Sequence, residues 1–272
     1  MTRTKEQKPV TRFNADDEEP EVISLTHGEL VCFSDRSPAK ETPNEDSLAI
    51  ISVDDETTVL VVADGMGGMP AGEQASMIIV NSLINALSNA TTEQQTRDAI
   101  LNGIEEANKT ILDLKTGSGS TVSVAEIYQN QLRTYHAGDS LILLTSSHGN
   151  IKYQSMSHSP IGYALECGVI NQENAMLHQE RNLISNYIGA PDMHIQIGPA
   201  IELAAQDTLI LSSDALSDNL YEQEISEFIR KGPLIEGVNE MIAECQHNML
   251  EPLPDRRCHP DDLTFICFRQ NT

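Results

Sequence analysis

Basic side chains are scarce in this chain. Seventeen lysines and arginines stand against 41 aspartates and glutamates in 272 residues, a formal net charge of −24. A surface of that sign repels a phosphate backbone, which disfavours nucleic acid as a partner. Long apolar runs are missing as well. None approaches the ~18 residues a membrane span needs, so no membrane partner is expected. The five cysteines, Cys32, Cys167, Cys245, Cys258 and Cys267, are odd in number and show no CxxC spacing. That argues against a disulfide frame or a zinc site, and it fits thiols of a cytoplasmic protein. Met1 to Lys8 carries charge without an apolar segment behind it, so no secretory signal is expected. No internal repeat is visible.

Hydrophobic content is 39%, and the length suffices for one large or two small domains with a core that needs no staples. Residues 1–22 are polar, include Asp16-Asp17-Glu18-Glu19-Pro20, and read as a flexible tail ahead of one domain over 23–272. Glu29 to Phe33 reads as a strand and 36–44 as a loop. Ser47 to Val53 and Thr57 to Ala63 read as a hairpin. Past Gly68 the period changes: Pro70 opens a helix with Met77, Val80, Leu83, Ile84 and Leu87 at helical spacing. A second helix spans about Thr92 to Leu114, with Ile100, Leu101, Ile104, Ala107, Ile111 and Leu114 on one stripe. Strands follow at Thr121 to Tyr128, Leu132 to Ala137, Leu141 to Thr145, Ile151 to Gln154, Ile195 to Leu203 and Thr208 to Leu211. Two helices fit Gln223 to Lys231 and Pro233 to His247, and Leu263 to Phe268 is a closing strand. Hairpin-linked strands with paired helices between them indicate an α+β chain with antiparallel sheets, not repeated βαβ units.

The acidic residues are not spread evenly. Asn44-Glu45-Asp46, Asp64-Gly65-Met66-Gly67-Gly68, Gly138-Asp139-Ser140, Ser213-Asp214 and Asp261-Asp262 each fall at a strand end or turn. Carboxylates gathered at one pole of a sheet repel one another unless protons or cations intervene. Hard oxygen donors suit magnesium, manganese or calcium, and such a site points toward phosphate chemistry. Taken singly, each segment has a plainer reading: a glycine turn at Asp64, an Asx-turn at Asp139, a helix N-cap at Asp214, a charged strand start at Asp261. Asp214 and Asp218 are four apart and share a face if a helix begins there.

Taken in order, Asn44 to Ser47, Val62 to Ser76, Gly119 to Thr121, His136 to Ser140, Leu211 to Leu220 and Asp261 to Thr264 resemble the metal-dependent protein phosphatases of the 2C type, most closely the bacterial serine/threonine phosphatase branch. Weaker echoes run through Ser157-His158-Ser159, Gly168 to Ile170 and Arg181 to Ile184. The resemblance covers about residues 28–268. It implies a four-layer α-β-β-α sandwich with two central antiparallel sheets flanked by helix pairs. It also implies two Mn²⁺ or Mg²⁺ ions and a third, weaker one. By position Asp64 would bridge the pair, aided by the Gly65 carbonyl. Asp214 and Asp261 would complete one shell, Glu45 or Asp46 would serve the other ion, and Asp139 and Asp218 would hold the third. The implied activity is hydrolysis of phosphoserine and phosphothreonine in proteins, opposing a serine/threonine kinase.

Four positions depart from the family pattern. Glu41 stands where an arginine grips phosphate, leaving Arg36 or Lys40 as candidate replacements. Met69 replaces a histidine, Ala215 a glycine, and Leu141 a common arginine. Glu41 and Met69 leave open two other roles: a metal-binding interaction module without efficient turnover, or a phosphatase of a small metabolite. His136, His158, His178 and His194 read as structural or surface residues.

Overall fold

A computed structural model describes residues 8–38, 40–66, 71–251 and 258–271. Thirteen strands and seven helices occur among them in the order β1 (Val10–Phe13), β2 (Glu21–Ser24), β3 (Gly28–Asp35), β4 (Ser47–Ser52), β5 (Thr57–Ala63), α1 (Gly72–Leu87), α2 (Glu93–Leu114), β6 (Val122–Tyr128), β7 (Gln131–Ala137), β8 (Leu141–Thr145), β9 (Ile151–Gln154), α3 (Pro160–Glu166), α4 (Gln172–Met176), β10 (Gln196–Ile197), β11 (Ile201–Glu202), β12 (Thr208–Ser212), α5 (Asp214–Asn219), α6 (Glu222–Ile229), α7 (Leu234–Leu250) and β13 (Leu263–Gln270). One sheet runs β1-β4-β5-β6-β7-β10, with β11 also on β7; the other runs β2-β3-β13-β12-β8-β9. Every pairing is antiparallel.

Alternation along the strands builds the layers. In β5, Val59, Val61 and Ala63 face α1 and α2, whereas Leu60 and Val62 face the other sheet. In β13, Phe265 and Cys267 pack under α5 to α7, whereas Ile266 and Phe268 join Leu60 and Val62 between the sheets. Three apolar layers therefore alternate with four layers of backbone, and the expected α-β-β-α sandwich is the observed architecture. Strands apolar on both faces, such as Val59 to Ala63, are what a doubly covered sheet requires.

The helices form where their stripes find a sheet. Thr92 caps α2 by accepting from the Gln95 N–H, and Ile100, Ile104, Ala107 and Ile111 are buried against α1 and the sheet. In α1 the buried set is Ala75, Ile79, Val80, Leu83 and Leu87; Met77 and Ile84, expected on the stripe, are only half-buried. Pro70, the expected helix opener, lies outside the described residues. Gly103 lets the two helices touch: a Cβ there would stand 3.0 Å from Leu83 Cδ2.

Two expectations need correction. Residues 10–22 are not a tail. Val10–Phe13 pairs with β4 in the first sheet and Glu21–Ser24 with β3 in the second. Asp17 helps by receiving the Ser34 N–H and donating its own to Ser34 O. Residues 1–7 lie outside the described residues. The expected strand over Ile195 to Leu203 is instead two short pieces. Gly198 packs against Thr134 and Tyr153 with no room for a Cβ, and Pro199, which has no N–H to pair, follows it. Among the described residues no helix is long and apolar enough to cross a membrane.

Candidate active site

Antiparallel registers decide where the carboxylates meet. Ser47 pairs with Ala63, so Asp46 and Asp64 leave adjacent strands at the same end. Ser212 pairs with both Phe265 and Leu141, so Asp214, Asp261 and Asp139 leave the second sheet at one end too. The two ends face each other: the Asp214 N–H points at Asp64 Oδ2 across 3.4 Å. Sequence spacing alone put these residues at strand ends; the sheet order gathers them.

The local structure around Asp64 is tight. Its N–H donates to Thr121 Oγ1 at 3.2 Å and its carbonyl accepts the Thr121 N–H at 2.9 Å. Gly65 has backbone of Glu45 and Gly72 where a Cβ would go, so the chain there admits only glycine. Gly67, Gly68 and Met69 lie outside the described residues.

Burial and mutual repulsion push most of these acids up. Asp64, Asp214 and Asp46 stand well above the ordinary carboxylate range, first because they are buried. For Asp64 the next cause is Asp46, for Asp214 it is Asp64, and for Asp46 it is Asp262. Asp139 is raised to about 7 by burial and by Asp218. Asp261 is raised by burial too. Asp46 Oδ2 and Asp139 Oδ1 are buried oxygens without a hydrogen-bond partner. Among the described residues, no three Asp, Glu, His or Cys side chains are preformed around one metal position.

Two cationic groups already occupy parts of this pole. The Lys40 ammonium bridges Glu45 Oε2 and Asp262 Oδ2, 2.6 Å from each. Asp262 also receives the N–H groups of Ser37 and Glu45, both at 2.8 Å. It thus ties Ser37, Lys40 and Glu45 together, whereas its neighbour Asp261 is left to the carboxylate cluster. On the other side the Arg181 guanidinium donates to Asp218 Oδ1 at 2.5 Å and to the Ser217 carbonyl at 2.8 Å. His259 Nδ1 lies 3.2 Å from Asp218 Oδ2. Burial alone would raise Asp218, but His259 and Arg181 bring it below its ordinary value. A cavity of about 380 Å³ opens beside Asp139, Asp214, Asp218 and Arg181, and its lining includes Met156 and Leu165.

Of the two cations expected to replace the missing arginine, Lys40 reaches the cluster. Arg36 does not: it turns to the exposed Asp16 at 3.5 Å, because the ordered Asp16-Asp17 segment lies beside it. Glu41 is exposed. Sequence reasoning placed Asp262 among the acidic segments and Arg181 in a weak family echo without giving either a role, and it missed His259. The signal for His259 was its place two residues before Asp261; nothing near Arg181 in sequence pointed to Asp218.

Residues 36–251 match the family model described as protein phosphatase 2C. The chain belongs to the protein phosphatase 2C family. It is 30% identical over 198 residues to the serine/threonine phosphatase stp of Listeria monocytogenes serotype 4b, covering 69% of this chain and 77% of that protein. It is 32% identical over 200 residues to the protein phosphatase PhpP of Streptococcus pneumoniae strain D39, covering 70% and 80%. Among solved structures, Stp1 from Staphylococcus aureus superposes with a TM-score of 0.79 at 24% identity, covering 91% of this chain and 97% of that one. The catalytic domain of the phosphatase PstP, solved with two manganese ions, gives a TM-score of 0.71 at 22% identity over 90% and 99%. These structural likenesses speak to the fold. As a protein phosphatase 2C, the chain is a phosphoprotein phosphatase of a metal-dependent family. The matched relatives carry the catalytic reading and not that of an interaction module without turnover.

Proposed function

We propose that this protein phosphatase 2C hydrolyses phosphoserine and phosphothreonine in proteins, removing what a serine/threonine kinase adds, and that it does so in the cytoplasm with Mn²⁺ or Mg²⁺. The observation that carries the reading is a set of carboxylates at the facing ends of two sheets, Asp46 buried and Asp64, Asp139, Asp214 and Asp261 half-buried, whose pKa values are raised and which hold no ion pair among the described residues. Their chemistry fits hard divalent cations. The unpartnered Asp46 Oδ2 and Asp139 Oδ1 are donors left for such ions. Asp64 with the Gly65 carbonyl, Asp214 and Asp261 would serve the core pair with Glu45 or Asp46, and Asp139 and Asp218 a looser third ion. When bound, the ions supply Lewis acidity and charge neutralisation toward a phosphoryl group.

The rest falls to this chain's own groups. Lys40, half-buried and already turned to the pole, supplies the cation for substrate phosphate that Glu41 cannot. To do so it must give up Glu45 while Asp262 holds its other side. Gly65 and Gly72 keep the backbone close enough to aim Asp64 and Glu45: a Cβ on Gly72 would stand 2.8 Å from Glu45 Oε1. Five free thiols and the absence of an apolar spanning helix among the described residues support the cytoplasmic assignment.

The test is phosphate release from a phosphothreonine peptide by the full chain with Mn²⁺. Turnover is expected, and Asp64→Asn or Asp214→Asn is expected to cost about a hundredfold or more. Undiminished turnover in both variants refutes the site. No turnover by the native chain across Mn²⁺ and Mg²⁺ refutes the function.

A further inference from the structure

Between β9 and β10 the chain leaves the sheet, and both ends of that excursion return to one imidazole. At the entry His158 is fully buried. Its backbone N–H donates to Gly138 O at 3.0 Å, and the Gly138 N–H donates to His158 Nδ1 at 3.1 Å. At the exit the Ser185 N–H and hydroxyl both donate to His158 O at 2.8 Å, and Asn186 Nδ2 donates to His158 Nδ1 at 2.8 Å. Asn186 is itself fixed by the His194 N–H and carbonyl. The far nitrogen, Nε2, meets Gln196 Oε1 of β10 at 2.9 Å. The His136 ring stacks on His158 with centroids 4.6 Å apart, and His194 tilts against it at 5.2 Å.

The donor count assigns the tautomer. Nδ1 faces two N–H donors, so it carries no proton; Nε2 carries the proton and donates to Gln196. A neutral ring in this tautomer is the one state that satisfies all three partners. What it grips matters. Gly138 has φ +117°, and a Cβ there would meet Thr121 at 2.5 Å, so the turn's shape is set by backbone alone. The next residue is Asp139, whose buried Oδ1 has no partner.

We propose that His158 is a positioning residue for the Asp139 side of the metal site. Its Nδ1 ties the Gly138-Asp139 turn to both ends of the 155–195 excursion, so the placement of that excursion beside the carboxylates and the affinity for a cation at Asp139 and Asp218 are set together. This rests on the reading of Asp139 as a cation ligand. The excursion carries Arg181, which pairs with Asp218; the same imidazole thereby locates both partners of the looser ion's surroundings.

Asparagine and glutamine separate the two nitrogens. The Asn oxygen falls near Nδ1 and keeps an acceptor for Gly138, whereas the Gln amide falls near Nε2 and abandons it. Mn²⁺ binding to the full chain is followed by calorimetry, with circular dichroism as a check on folding. In His158→Gln the weakest Mn²⁺ event is expected to weaken about tenfold, as one lost hydrogen bond predicts. The KM for a phosphopeptide should rise more than kcat falls. His158→Asn should recover most of both, although each variant loses hydrogen bonds of the same buried ring and should lose similar thermal stability. Asp139→Asn separates failures. An unchanged isotherm there refutes the ligand reading. A weakened one, with the Asn and Gln variants alike, refutes the role of His158. Should the variants not fold, ¹⁵N shifts of the native imidazole decide: an Nε2–H tautomer supports the proposal, and an Nδ1–H tautomer or a charged ring overturns it.

Discussion

Replacing Lys40 with methionine keeps the length of the side chain and deletes the ammonium that joins Glu45 to Asp262. The two halves of that bridge differ in worth. Lys40 and Glu45 are 20% and 18% exposed, so water screens their pair, and its loss costs about 0.5 kcal/mol. Asp262 is 3% exposed and keeps only the Ser37 and Glu45 N–H donors, so its half costs about 1.5 kcal/mol. The sum, about 2 kcal/mol, lowers Tm by about 4–8 °C in a domain of this size. Calorimetry in EDTA reads this without interference from bound ions. The pH dependence has a definite sign. Burial opposes the Lys40 charge, but Asp262 and Glu45 hold its pKa above the ordinary lysine value. Its contribution is therefore complete below that ordinary value and is lost as pH rises through the higher folded one, so the native-to-variant gap is constant near neutrality and closes only in strong alkali. With Mn²⁺ present, the same variant should raise the KM for a phosphopeptide about tenfold, the loss of one charge-assisted phosphate contact. A Tm within about 1 °C of native would show that the bridge does not support the fold. An unchanged KM would show that Lys40 does not hold substrate phosphate.

Two further outcomes follow from buried groups. Tyr135 donates to Glu126 Oε2 at 2.6 Å inside the helix-facing core, and burial raises the Glu126 pKa while this bond lowers it. Tyr135→Phe should cost about 1–2 kcal/mol by urea titration. Because the variant raises Glu126 further, the cost should grow as pH rises from acid toward neutrality; a cost flat with pH would refute the pairing. Mn²⁺ should raise Tm by relieving the carboxylate cluster, about 2.7 kcal/mol at a hundredfold excess over Kd, and the gain should vanish in Asp64→Asn.

Much of the fold was legible because the stripes of α2 and the two-sided apolar runs of β5 and β13 carry their own periods. The place of Asp64 at a strand end was legible because the apolar run Val59 to Ala63 stops there, although a plain glycine turn would read the same; that Asp46 is its neighbour came from the register of β4 on β5. What escaped was settled by distant partners. Val10–Phe13 has four half-buried residues and no pattern of its own; it is a strand only because β4 offers an edge. The Asp261-Asp262 pair looks symmetrical, but the turn into β13 leaves one carboxylate with the cluster and buries the other under Lys40 and the N–H groups of Ser37 and Glu45. Arg181 meets Asp218 only through the return of the excursion, a contact 37 residues long.

The early segment from Val10 to Ser24 closes one side of the sandwich twice. β1 covers the open edge of β4, and β2 covers that of β3. Arg12 stitches the two by pairing with Asp17 and with Glu21. A version trimmed to begin at Ile23 would expose two apolar strand edges together, Ser47–Ser52 and Gly28–Asp35. Unpaired edges of that kind recruit other chains. The stretch that looks most dispensable in a map of catalytic residues is thus what keeps copies of the enzyme from adding to one another's sheets.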